Sequence, residues 1–218
     1  QFLYGSLDLI CATSAFGMGV NKEDIRYCIH YHPPIDLESY FQEIGRAGRD
    51  GKESIAILMY SPDDFFLQMQ LITSELPDEN QIQEFARWQT DVFSRRGKNI
   101  EEEILPGYTE TQWRLLRKFY ARIDDRKQFI HEMTSFIKNR LDFKKMQLQK
   151  MTEWIHATSC RRKQLLQYFE QSASERVPLC CDQCGLDLSH FFRKGSAPLS
   201  KEDFHWRRQL AALFNKND

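Results

Sequence analysis

No stretch of this 218-residue sequence combines the glycines and terminal Lys-Ser or Lys-Thr of a phosphate-gripping loop. Without such a loop the chain is not expected to hold a nucleoside triphosphate by itself. Apolar runs are short too, and none approaches the roughly 20 residues that a membrane-spanning helix needs. The N-terminus lacks the basic start of a secretory signal. Internal repeats and low-complexity tracts are missing. The first residue is Gln1 rather than Met, and a strand-like run is already under way at Leu7, which reads as a piece of a longer protein.

What is present is ordinary in bulk: 41% hydrophobic and 28% charged residues, with a formal net charge of −1. That composition suits a soluble globular chain with one large domain or two small ones. The near-neutral total hides an asymmetry. Residues 1–75 carry five basic and eleven acidic side chains, whereas 114–176 carry fifteen basic and seven acidic. A basic segment beside an acidic one suggests a face that meets a polyanion, although a solvated helical face has the same composition.

The order of elements splits the chain in two. Leu7–Thr13, Asp24–Tyr31 and Ser54–Tyr60 are short runs rich in β-formers, and Pro33-Pro34 and Ser61-Pro62 end the second and third. Between the last two, Asp36 reads as a helix N-cap, followed by Leu37, Tyr40, Phe41 and Ile44 at helical spacing. Strands separated by a helical crossover predict a parallel α/β sheet. From Asp63 onward the stripes are helical: Phe65–Ile72, Trp113–Ile123, Phe129–Leu141, and Met151 with Trp154 and Ile155. Arg95–Tyr108 reads as an exposed connection, and Phe204–Phe214 as a short amphipathic tail. The fold class expected is α/β followed by mainly α.

Within the first part, QEIGRAGRDG (Gln42–Gly51) places Arg46 and Arg49 three residues apart, each flanked by small residues. The spacing predicts a helix through Arg49 whose last turn projects both guanidiniums from one face, suited to a polyanion. A pair of arginines capping a helix C-terminus is the plainer reading of such a pair. The whole string closely resembles motif VI of the superfamily-two helicases. Upstream, Ala12-Thr-Ser-Ala-Phe-Gly-Met-Gly-Val-Asn-Lys22 resembles their motif V. Together these wordings are similar to the RecQ DNA helicases in particular.

That resemblance implies a partial RecA-like sheet belonging to the second of two motor domains. It implies that Arg49 is an arginine finger on the γ-phosphate of ATP, that Arg46 lies in the same cleft, and that Gln42 links the cleft to motif V. Gly19 and Asn21 would belong to the nucleotide side, and Thr13, Ser14 and Gly17 to a DNA phosphate contact. ATP and Mg²⁺ would be shared with a first RecA-like domain, whose P-loop lysine and metal-binding acid are not in this sequence. The chain alone is therefore expected to lack ATPase activity.

Six cysteines are unevenly spread. Cys11 and Cys28 lie singly in apolar runs and read as inert thiols. Cys160, Cys180, Cys181 and Cys184 read as a metal site, because thiolates in a tetrahedron suit structural Zn²⁺ and Gly185 suits the turn that Cys181-x-x-Cys184 requires. His156 or His190 could replace one thiolate if the adjacent Cys180 and Cys181 cannot both ligate. Cys160 followed by Arg161-Arg162-Lys163 and Leu165-Leu-Gln-Tyr-Phe169 resembles the RecQ zinc-binding subdomain. Arg161 and Arg162 are candidate DNA-phosphate contacts.

The resulting expectation divides the chain into motor residues 1–62, a helical zinc-binding region 63–192 and a tail helix 193–218. The implied parent is a 3′–5′ ATP-dependent DNA helicase of repair and recombination. Its expected partner is single-stranded or forked DNA, and its expected location is the cytoplasm or nucleoid, or the nucleus of a eukaryote. The alternative is a non-enzymatic, zinc-dependent DNA-binding module.

Overall fold

The computed structural model describes residues 7, 9–13, 22–96, 104–123, 125–172 and 177–191, without the side chains of 90–96 and 190. Strand β1 (Tyr27–His30) pairs in parallel with β2 (Ile55–Leu58), Tyr27 opposite Ile55 and His30 opposite Leu58. Helix α1 (Leu37–Ile44) forms the crossover. Asp36 caps it, accepting from the Ser39 amide at 2.6 Å. Leu7 and residues 9–13 lie outside any strand and are exposed. An apolar run becomes a strand only by pairing, and these residues have no ladder partner among the described ones.

α1 stops at Ile44, five residues short of the sequence expectation. The Arg46 and Ala47 amides turn back to Glu43 and Ile44, and the Gly48 amide reaches Ile25 O at 2.9 Å. Gly48 has φ +68°, and a Cβ there would stand 2.6 Å from Ser54 Oγ and 2.9 Å from Lys52 O. Arg46 and Arg49 are thus carried by a tight loop rather than by a helical turn. The Gly48→Ala variant is expected to lose about 1–2 kcal/mol from the left-handed conformation alone, plus the cost of displacing Lys52. Thermal denaturation would measure the loss.

Four more long elements follow: α2 (Asp63–Ser74), α3 (Glu79–Arg96), α4 (Glu110–Tyr120) and α5 (Arg126–His156). In α3, Ile82, Phe85 and Ala86 are buried, and Trp88 packs beside them. α4 opens on a capping box between Thr109 and Gln112. The Gln112 amide also donates to Ser74 O and Leu76 O, closing the end of α2. α5 joins two stripes that look separate in the sequence. No Gly or Pro interrupts its 31 residues, so it extends about 46 Å at the usual rise.

α5 serves as the spine of two cores. Its first half packs Phe129, Met133 and Ile137 against Phe85, Trp113 and Leu116. Its last turns pack Met151 and Trp154 against Leu37 and Tyr40 of α1 and Leu165 of α6 (Arg161–Tyr168). The strand pair is therefore tied through α1 to the region that carries the cysteines. Among the described residues, no helix is long and apolar enough to cross a membrane. The expected tail helix at 193–218 lies outside the described residues.

Candidate metal centre and arginine loop

Cys160 occupies the N-cap position of α6. Cys181 precedes a single 3₁₀ turn, Asp182–Cys184, closed by Cys184 N–H to Cys181 O at 3.0 Å. Gly185 ends that turn at φ +80°, the left-handed conformation that a residue with a Cβ resists. These two local structures bring the sulfurs of Cys160, Cys180, Cys181 and Cys184 within 4.8 Å of one another. The Cys160 and Cys180 sulfurs are 3.6 Å apart, and all four thiols are free. A tetrahedron of thiolates about 2.3 Å from a central Zn²⁺ has edges of about 3.8 Å, so the cluster fits that ion.

Its electrostatics agree with the fit. The backbone N–H of Lys163 pulls Cys160 down to about 7, below an ordinary thiol. Burial first, then the Cys160 sulfur, pushes Cys180 up to about 11. Hydrogen bonding with Cys181, and next with Cys160, pushes Cys184 up to about 12. Four thiols this close cannot all ionise unaided, and a divalent cation removes that penalty. Four protein ligands leave no open position, so zinc in this cluster is structural. His156 takes no part: its Nε2 lies 3.1 Å from the Tyr60 hydroxyl. The His190 side chain is outside the described atoms.

Arg161 has an architectural use that its sequence neighbourhood hides. Its Nε and a terminal nitrogen donate to the Asp182 carboxylate at 2.9 Å, and the other terminal nitrogen donates to Trp154 O and Ile155 O at 2.7 Å. The guanidinium also lies 5.5 Å from the centre of the Trp154 ring, and the indole N–H donates to Arg161 O. Arg161 thus ties the end of α5 to the cysteine loop with most of its donors, whereas Arg162 and Lys163 are exposed. In the Arg161→Lys variant the charge remains but the fork is lost, leaving the carbonyls at the α5 terminus short of partners. A loss of about 1–3 kcal/mol in thermal unfolding is expected, mostly from those carbonyls, because Asp182 is more than half exposed and its ion pair is screened.

The arginine loop follows directly on the C-terminal end of α1. Gln42 and Arg49 are exposed and Arg46 is half-buried. Arg49 Nε donates to Gly45 O at 3.2 Å, folding the side chain back over the loop. Arg26 clamps the base of the loop, donating to Asp50 Oδ1 at 2.6 Å and to Glu53 O at 2.9 Å. That guanidinium also holds the Asp50 carboxyl below the usual carboxylate range. The neighbouring Glu43 turns to the strand, and its Oε2 meets His30 Nε2 at 2.7 Å. This half-buried tie between β1 and α1 escaped sequence reading, since two polar residues thirteen apart carry no periodic signal. Thr13 is exposed, and Ser14, Gly17, Gly19 and Asn21 lie outside the described residues.

A parallel strand pair with an arginine loop, packed through one helix against a four-thiol cluster, is the partial RecA-like and helical zinc-binding architecture of a helicase C-terminal region. The family model described as "Helicase conserved C-terminal domain" matches residues 1–51, and the one described as "RecQ zinc-binding" matches 120–185. The chain belongs to the RecQ family of helicases. It is 37% identical to the "Probable ATP-dependent DNA helicase RecS" of Bacillus subtilis over 99% of its length and 43% of the relative's. Over 40% of its length it is 46% identical to the "ATP-dependent DNA helicase RecQ" of the same organism, covering 15% of that protein. A third relative, the mouse "Bifunctional 3'-5' exonuclease/ATP-dependent helicase WRN", is 29% identical over 94% of the chain and 11% of its own length. The chain thus spans less than half of each of these curated relatives.

Proposed function

We propose that the chain supplies the ATP-sensing part and the zinc-binding region of a RecQ-type, ATP-dependent 3′–5′ DNA helicase acting in repair and recombination. Residues 1–62 are the motor portion and 63–192 the zinc-binding portion in this reading. The observation that carries it is the Gly48 loop, which presents Arg46 and Arg49 from a backbone anchor at Ile25, just before β1, in a sequence without a P-loop. Arg49 donates to the γ-phosphate of an ATP gripped, with its Mg²⁺, by a first RecA-like domain. There it stabilises charge that builds up as the terminal phosphate leaves. Arg46 supports the same cleft, and Gln42 relays its state toward the motif V residues Thr13, Ser14, Gly17, Gly19 and Asn21. Zn²⁺ on Cys160, Cys180, Cys181 and Cys184 holds α6 against α5, with Arg162 and Lys163 facing DNA phosphate.

ATP hydrolysis by this chain alone and joined to a P-loop domain tests the reading. No turnover is expected from the chain alone, and DNA-stimulated turnover from the pair. Turnover by the chain alone would overturn it. The missing P-loop also favours a second reading, a zinc-dependent DNA-binding module without a motor, for which joining the domains would restore nothing.

A further inference from the structure

Between its two cores, α5 is open along one side. Ile137 and Leu148 are buried, but no residue from 138 to 147 is. α2 covers one flank, where Leu141 packs on the first core and Lys144 pairs with Glu75 at 3.0 Å. On another flank stand Phe136, Arg140, Phe143, Gln147 and Lys150, at spacings of four, three, four and three. That alternation keeps residues in one row along an α-helix. Trp154 continues the row into the second core.

Aromatic and cationic side chains alternate along this row. Phe136 and Phe143 are 37% and 44% exposed, the Phe136 ring leaning on Phe119 of α4 with centroids 4.8 Å apart, and Arg140 and Lys150 are exposed as well. The Arg140 guanidinium lies 6.0 Å from the centre of the Phe143 ring, and the Lys150 ammonium 5.4 Å from that of Tyr168. Among the described residues neither cation forms an ion pair. The acids nearby are engaged or off the row: Glu132 accepts from Gln128, Glu153 from Gln149 and Glu38 from Tyr168, while Asp142 belongs to a different flank. A merely solvated face would intersperse carboxylates and would not expose two phenyl rings. Cations without acidic partners, set between exposed rings, form the pattern that stacks bases and meets phosphates on one strand.

We propose that the row Phe136–Arg140–Phe143–Lys150 of α5 is a binding site for single-stranded DNA. Bases stack on the phenyl rings while Arg140 and Lys150 meet the intervening phosphates. A duplex hides the base faces that the rings require, so the site selects unpaired DNA. The site lies apart from the arginine loop and the thiol cluster. It rests on the proposed function only for DNA as the partner, and its test is run without ATP, so that the two can fail separately.

The test is fluorescence anisotropy of a labelled oligothymidine with the zinc-loaded 218-residue chain over a range of salt. Phe143→Ala should weaken binding at least about fivefold with little change in salt dependence. Arg140→Ala and Lys150→Ala should each weaken it and reduce the slope of log K against log salt by about 0.7. Phe143→Trp should retain binding, with indole fluorescence quenched by the DNA. Lys138→Ala and Lys145→Ala, which lie off the row, should bind as the parent chain does. Parental affinity in the three alanine variants of the row would overturn the proposal. So would equal losses in the two off-row variants, equally tight binding of a duplex of the same length, or no binding by the parent chain at low salt. Circular dichroism of each variant separates lost contacts from lost fold.

Discussion

Arg49→Ala in the two-domain motor is expected to lower DNA-stimulated ATP turnover by about three orders of magnitude or more. Arg49 is exposed, and the loop that carries it is held independently by the Gly48 amide on Ile25 O and by Arg26 on Asp50 and Glu53, so the fold should survive its removal. The loss should therefore fall on the transition state, where the guanidinium meets charge that the ground state lacks. Turnover should collapse while the apparent affinity for ATP changes little. Arg49→Lys should rescue poorly, since an ammonium cannot reproduce the planar fork. Gly48→Ala, which moves the loop without deleting either arginine, should give a smaller loss of turnover accompanied by a lower melting temperature. Steady-state kinetics with ATP and saturating DNA check all three. Undiminished turnover in Arg49→Ala would exclude the finger role.

Cys181→Ser is expected to abolish near-stoichiometric zinc and to unravel residues 160–191 as a unit. Cys181 is the buried member of the cluster, and its carbonyl accepts from both Cys184 and Leu186. Zinc bound to thiolates contributes folding free energy on the order of 10 kcal/mol in small zinc-dependent folds, more than the local hydrogen bonds could replace. Leu165 of α6 would then leave Trp154 and Met151, and the Tyr27 hydroxyl would lose its bond to Phe191 O. The core around Phe85, Trp113 and Phe129 shares no residue with this site and should persist. Hydrogen exchange should accordingly rise across 160–191 and the end of α5, but not across α3 and α4. A strong chelator should reproduce the pattern in the unmutated chain. Zinc uptake should release protons and weaken as pH falls, because Cys180 and Cys184 are protonated thiols at neutral pH. Full zinc content in Cys181→Ser would rule out this ligand set.

The sequence by itself determined what depends on residue type and short spacing. The four thiols, the Gly185 turn, the Asp36 cap and the parallel β–α–β order all follow from local stereochemistry, and the structure keeps them. The arginine pair and its motif were legible for the same reason. Tertiary structure decided what depends on where the chain returns to itself. It ended α1 at Ile44, because the Gly48 amide finds Ile25 O, and so moved both arginines from a helix into a loop. It fused two apolar stripes into one α5, whose bare middle is visible only once two separate cores form at its ends. It also turned Arg161 inward to Asp182 and the Trp154 and Ile155 carbonyls, although beside Arg162 and Lys163 it reads as one basic run. A guanidinium looks the same in sequence whether it faces solvent or three acceptors, and only the meeting of the α5 terminus and the cysteine loop at α6 supplies those acceptors.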